Sequence, residues 1–359
     1  MGAVLVGSAE MAARVDDWIR LGVPLTHTPD EVADLRILDS FGLHGRPFGR
    51  YHAWRLNNYG FRGPDMAARP AAGCTRIMTL GASETMGLYE TPGKEFPAQL
   101  RDSLRPLGCY EVVNAGIAGM TTKSIVAFWN SYASRFGSQI VVIYASPAFY
   151  LGNELRGWTP QPAVKPVAES PSVPWRPRLI DRVHQSVHTP DFLQRIRLER
   201  LIAQDTRGKP PSWFFTSAPP DRVDAFMRDL DSLVTDIRAA GALPVLMTHA
   251  VRATNPPRPE DAFLLLGWRH FYPRATTEAS LGFEHAVAER MREYGARTRT
   301  PVIDVEGPLS GRGELFGDVV HFNNAGSALV AGIITRTLVA NALVGSSRPA
   351  GLSSGAGHP

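Results

Sequence analysis

Ser83 stands in Gly81-Ala82-Ser83-Glu84-Thr85-Met86-Gly87, directly after the apolar run 77–80. A serine hydroxyl is a weak nucleophile at neutral pH. It needs an imidazole to take its proton and a carboxylate to fix the tautomer of that imidazole. Asp318 and His321, three residues apart near the end of the chain, could supply both from one short turn. A third group, Gly116-x-x-Gly119, follows the apolar run 110–115, and glycines there let backbone N–H groups approach a substrate closely. The N–H groups of Gly119 and Ser83 could then hold an oxyanion. Each group has a plainer reading taken alone. Ser83 is a helix N-cap, Asp318-x-x-His321 is a capped helix start with a surface histidine, and the glycines make a tight turn. The sequence is not the G-x-S-x-G elbow of α/β-hydrolases, because Thr85 replaces its second glycine.

The elements that must position these groups alternate. Strands are expected at 76–80, 110–115, 139–145, 242–250 and 301–305. Helices are expected at about 95–104, 122–136, 221–241, 277–298 and 324–343. The run 139–145 is almost continuously apolar, as suits a strand buried on both faces. This alternation predicts a parallel sheet with helices on both sides, and in that architecture ligands sit at the carboxyl ends of the strands. Gly81, Gly116, Ala145, His249 and Asp304 lie at such ends.

Residues 1–70 read as an N-terminal extension packed on the core, with one short helix near 29–39. Residues 71–345 form the main domain. Residues 151–220 interrupt it with a proline- and tryptophan-rich insertion. Its exposed-looking Trp158, Trp175, Trp213, Phe214 and Phe215 form either a cap over the site or a surface excursion packed on its own aromatics. Within it, 190–207 looks helical. The tail 346–359 reads as disordered.

The order Ser, Gly-x-x-Gly, Asp-x-x-His along such a scaffold resembles the SGNH (GDSL-type) hydrolase family, from about Asn57 to Val339. The segment 57–65, NNYGFRGPD, also looks like the lead-in of some bacterial members. The resemblance implies a flavodoxin-like three-layer α/β/α sandwich with a five-stranded parallel sheet. It implies hydrolysis of carboxylic esters, O-acyl or O-acetyl groups of a small molecule, sugar or metabolite, through an acyl-enzyme. Ser83 matches the nucleophile, Gly87 the closing glycine of its block, Gly119 the second oxyanion donor, and Asp318 and His321 the other catalytic pair. Ala82 replaces the usual Asp. The family's third block, G-x-N-D, is missing: its Asn falls near Pro147 or Ala148, neither of which has a side-chain donor. Ser146 is the nearest replacement. His249 and Arg252 are candidates for that donor or for substrate contacts, although His249 also reads as a satisfied strand-end histidine. Glu84 could steer a cationic substrate, but a first-turn Glu also suits the helix dipole, which is the favoured reading. The rival functions are an acyltransferase with the same triad and a non-catalytic binding protein of this fold.

Composition narrows the remaining classes. The net charge is +4, with Lys and Arg spread along the chain, so no concentrated basic stripe points to nucleic acid. No apolar run reaches the roughly 18 residues needed to span a bilayer, and the N-terminus lacks a basic n-region, so a cytoplasmic setting is expected. The two cysteines exclude a disulfide framework and a cysteine zinc site. Cys74 and Cys109 sit at matching heights before their strands, but two reduced thiols are the favoured reading. No metal or organic cofactor is implied. The partner is a small-molecule ester, and the oligomeric state stays open.

Overall fold

The computed structural model describes residues 2–21, 25–27, 30–152 and 191–345. Two short antiparallel hairpins precede the core sheet: β1 (Arg36–Asp39) with β2 (Gly42–Gly45), and β3 (Arg50–Tyr51) with β4 (Trp54–Arg55). The core sheet contains β5 (Thr75–Gly81), β6 (Tyr110–Gly116), β7 (Ile140–Tyr144), β8 (Leu243–Met247) and β9 (Val302–Ile303). Its order is β6-β5-β7-β8-β9, and all of its pairings are parallel. The chain thus starts in the sheet interior, steps outward once, and returns to build the other side. This is the flavodoxin-like order, with its topological switch beside β5.

The strands explain the two helical layers. Successive side chains of a strand point to opposite faces. Ile140, Val142 and Tyr144 join Phe96, Leu100, Val330 and Ile334 in one apolar cluster. Val141 and Ile143 join Phe128, Phe226, Leu230, Phe283 and Val287 in the other. Helices Phe96–Leu104 and Asn324–Ala340 therefore cover one face. Helices Thr122–Ser131, Pro220–Ala239 and Thr277–Thr298 cover the other. The fold is a three-layer α/β/α sandwich.

The N-terminal region differs from the single expected helix. A helix spans Gly2–Leu21, and the second, Glu31–Leu35, gives way to β1 at Arg36. The pairing of Ile37 with His44 and Leu38 with Leu43 outweighs continued helix there. Trp18 and Ile19 of the first helix are 57% and 70% exposed, so the residue pattern carries little of the one-sided apolar face that marks a surface helix.

The lead-in segment is held by its own side chains. The Asn57 amide oxygen accepts the Tyr59 and Phe61 N–H groups at 2.9 and 3.0 Å, and the Arg62 guanidinium donates to the carbonyls of Met86 and Gly87. Leu35 and Leu56 pack on Met86. The extension thus braces the turn that carries Ser83.

Cys74 and Cys109 form a disulfide, with Cα atoms 4.6 Å apart, which corrects the expectation of two reduced thiols. The parallel register of β5 and β6 pairs Thr75 with Tyr110, so the residues just before them face one another. The bond closes a loop between positions 35 residues apart, for which chain entropy gives about 3–4 kcal/mol of stabilisation. A Cys74→Ser, Cys109→Ser double variant should lose up to that amount in denaturant unfolding. Thiol titration of the native protein without reductant should find none; two titratable thiols would contradict the pairing.

Helix Asp191–Thr206 lies where the insertion looked helical. Trp158 and Trp175 lie outside the described residues, as does the tail 346–359. Trp213 and Phe215 are not open: the Arg274 guanidinium lies 5.3 and 4.4 Å from their ring centroids. The expected strand 242–250 ends at Met247, where Thr248 turns the chain by accepting the N–H groups of Val305 and Glu306, each at 3.0 Å.

Candidate active site

Ser83 follows the carboxyl end of β5 and opens the one-turn helix Ser83–Met86. The N-cap is Ala82, with no side-chain cap. Ser83 is therefore the first helical residue rather than the cap, and its hydroxyl is not spent on the helix. Its N–H is one of those that a helix start leaves without an intrahelical acceptor.

His321 reaches Ser83 across 238 residues of sequence. Its Nε2 lies 2.8 Å from the Ser83 Oγ, and its Nδ1 lies 2.7 Å from Asp318 Oδ2. The second Asp318 oxygen accepts the N–H groups of Val320 and His321, each at 2.9 Å. The Gly317 N–H bonds the His321 carbonyl at 2.8 Å. The loop folds this way because its own backbone wraps one carboxylate, and the final helix begins only afterwards. That helix is capped by Asn323, whose side chain accepts from Ala325 and Gly326. Asp318 and His321 are therefore not helix-start residues, and the three groups form one continuous hydrogen-bonded chain.

The charges suit this chain. Burial by itself would raise the Asp318 carboxyl pKa, but hydrogen bonds from the His321 ring and from two backbone N–H groups hold it below its ordinary value. Burial by itself would lower the His321 pKa. The Asp318 hydrogen bond and the charges of Glu84, Asp318 and Glu90 outweigh it and raise it. The Tyr89 ring stands edge-on to the imidazole, with centroids 5.7 Å apart.

Gly119 lies in the loop after β6 at φ +79°, in the left-handed region that favours glycine. Among the described residues its N–H meets no backbone carbonyl. Arg36 Nη1 comes within 3.9 Å of where a Gly119 side chain would start. Arg36 was not singled out in the sequence, since nothing in its neighbourhood marks it. Pro147 and Ala148 begin the short 3-10 helix Pro147–Leu151 after β7, so no amide side chain stands at the third-block position. Ser146, just before them, is 4% exposed.

The three residues offered as substrate contacts each bond within the protein. Glu84 is 3% exposed and His249 is 1% exposed, so neither meets a substrate from solvent. His249 Nδ1 lies 2.8 Å from Glu284 Oε2, and its Nε2 lies 3.3 Å from Glu84 Oε1. It is a satisfied strand-end histidine, as its plainer reading held. Arg252 donates through Nε to Asp261 at 2.8 Å and through Nη1 to the Gly313 carbonyl at 2.7 Å. It ties two loops together through these two nitrogens.

No protein-family model matches this chain, and no curated protein is detectably similar to it. Among solved structures it is similar to a member of the lipolytic G-D-S-L family from Veillonella parvula. That likeness has 11% identity, covers 74% of this chain and 98% of that one, and has a TM-score of 0.43. The lipase/acylhydrolase from Enterococcus faecalis is similar at 16% identity, with coverages of 74% and 96% and a TM-score of 0.43. An acetylxylan esterase from Geobacillus stearothermophilus is similar at 15% identity, with coverages of 76% and 96% and a TM-score of 0.42. At these identities the likenesses concern the fold alone.

Proposed function

We propose that this protein is a serine hydrolase that cleaves a carboxylic ester of a small molecule through an acyl-enzyme. The observation that carries the reading is the unbroken chain Ser83–His321–Asp318, with contacts of 2.8 and 2.7 Å. In the first step His321 takes the Ser83 proton as Oγ attacks the ester carbonyl. The oxyanion is held by the N–H groups of Ser83 and Gly119, with no amide side chain at the third position. His321, now an imidazolium stabilised by Asp318, gives its proton to the departing alcohol. Water then attacks the acyl-enzyme with His321 as base, releasing the acid and restoring Ser83. With an alcohol as acceptor, the same steps give acyl transfer.

A missing oxyanion donor costs about 2.7–4 kcal/mol of transition-state stabilisation in a comparable site, so slow turnover of simple esters is expected. Among the described residues no helix is long and apolar enough to cross a membrane. The Cys74–Cys109 bond belongs to the chemistry of an oxidising compartment, and it weighs against a cytoplasmic setting.

The test is labelling by a fluorophosphonate probe, which reacts with activated serines. Wild type should label, while Ser83→Ala and His321→Ala should not, with all three folded by circular dichroism. A folded wild type that stays unlabelled would move the assignment to a non-catalytic protein of this fold.

A further inference from the structure

Behind the nucleophile lies a buried charge cluster that the proposed mechanism leaves unused. Glu84 follows Ser83 directly, and its Oε2 lies 3.3 Å from the Ser83 Oγ. Its other oxygen faces His249, which in turn faces Glu284. The side chains of these three residues are no more than 3% exposed. The Tyr144 ring stacks on the His249 ring, with centroids 5.1 Å apart and planes at 27°. Burial would push His249 toward its neutral form. The charges and hydrogen bonds of Glu284 and Glu84 overcome it and keep the imidazolium. The same contact, with the charge of His321, keeps Glu84 ionised against its own burial. The phenols of Tyr144 and Tyr272 also face this cluster, and both are held protonated.

The Ser83 hydroxyl has one proton and two acceptors within reach, His321 Nε2 at 2.8 Å and Glu84 Oε2 at 3.3 Å. While His321 is neutral it takes that hydrogen bond. Once His321 carries a proton its Nε2 becomes a donor, and Glu84 is then the acceptor left for the hydroxyl. Two anions with one cation between them also leave a net negative charge beside the imidazole. Resting on the serine-hydrolase reading, we propose that Glu84 is a positioning residue of the site. Anchored by His249, it holds the Ser83 hydroxyl whenever His321 is protonated and faces that imidazolium as a second anion beside Asp318.

The groups facing His321 are Asp318 from its own loop, Glu84 from the Ser83 helix, and Tyr89 and Glu90 from the following turn. The Glu84 charge can be removed at nearly constant shape, by Glu84→Gln, without touching the carboxylate that orients His321. Through-space attraction over about 6 Å at an effective dielectric of about 20–40 corresponds to roughly one to two pH units. The His321 imidazole, followed by side-chain NMR, should therefore titrate about one unit lower in Glu84→Gln. The acid limb of the fluorophosphonate reaction rate should fall by the same shift, because the neutral imidazole is the reactive form. Glu84→Asp retains the charge and should keep the His321 titration within a few tenths of a unit of wild type. If Glu84→Gln does not fold, Glu284→Gln takes one charge from further away and should move His321 in the same direction by less. An unmoved His321 titration in a folded Gln variant overturns the proposal. A titration that shifts in Glu84→Gln while wild type takes no probe overturns the serine-hydrolase reading instead and leaves the coupling of Glu84 to His321 standing.

Discussion

An Asp318→Asn protein should fold like wild type and lose about 10,000-fold in kcat on an activated ester. The size of the loss follows from where the two carboxylate oxygens point. Oδ1 accepts the backbone N–H groups of Val320 and His321. An amide in its place must keep its oxygen on those donors, so its NH2 group faces His321 Nδ1. That nitrogen must then be an acceptor, and the ring proton moves to Nε2. A protonated Nε2 cannot take the Ser83 proton, although every heavy atom keeps its place. Steady-state turnover measures the loss, and a thermal melt shows that the loop is intact. Activity within tenfold of wild type would mean that Asp318 does not set the tautomer of His321.

The parts of this site that depend on local spacing are legible in the sequence. An apolar run that stops at glycine marks the carboxyl end of a strand, so Gly81 and Gly116 locate the edge where Ser83 and Gly119 must lie. Asp318 and His321 are three residues apart, so one turn brings them together whatever the rest of the chain does. The helix Thr277–Thr298 begins and ends where its apolar period and its flanks place it. What was not legible depends on distance. Glu84 and His249 are 165 residues apart, and His249 and Glu284 are 35 apart; their meeting is a product of the sheet order, which no short window contains. Glu84 therefore read as a first-turn acid and His249 as a strand-end residue, each correctly placed and neither joined to the other. Arg252 read as a substrate contact for the same reason, because its partners Asp261 and Gly313 come from two separate loops. The disulfide is a case of weight rather than distance. The matching heights of Cys74 and Cys109 were visible, but the presumed reducing compartment decided against them.

Gly116→Ala should cost about 100-fold in the rate of fluorophosphonate labelling in protein that still folds. A methyl group on Gly116 would lie 2.3 Å from the Met86 N and 2.7 Å from the Thr85 carbonyl carbon. Both atoms are backbone of the one-turn helix that Ser83 opens, so no side-chain rotation relieves the clash. Restoring ordinary contact needs a displacement on the order of an ångström, and misplacement on that scale costs about 100-fold. The helix is also braced by the Arg62 bonds to Met86 and Gly87 and by Leu35 and Leu56 packed on Met86. It cannot slide without breaking them, so the melting temperature should fall as well. Arg62→Lys separates the two contributions. It loosens the brace while leaving Gly116 bare, and it should lower the melting temperature with a smaller loss in labelling rate. Equal losses in both variants would show that general loosening of the turn, and not the position of Ser83 against β6, sets the reactivity of the serine.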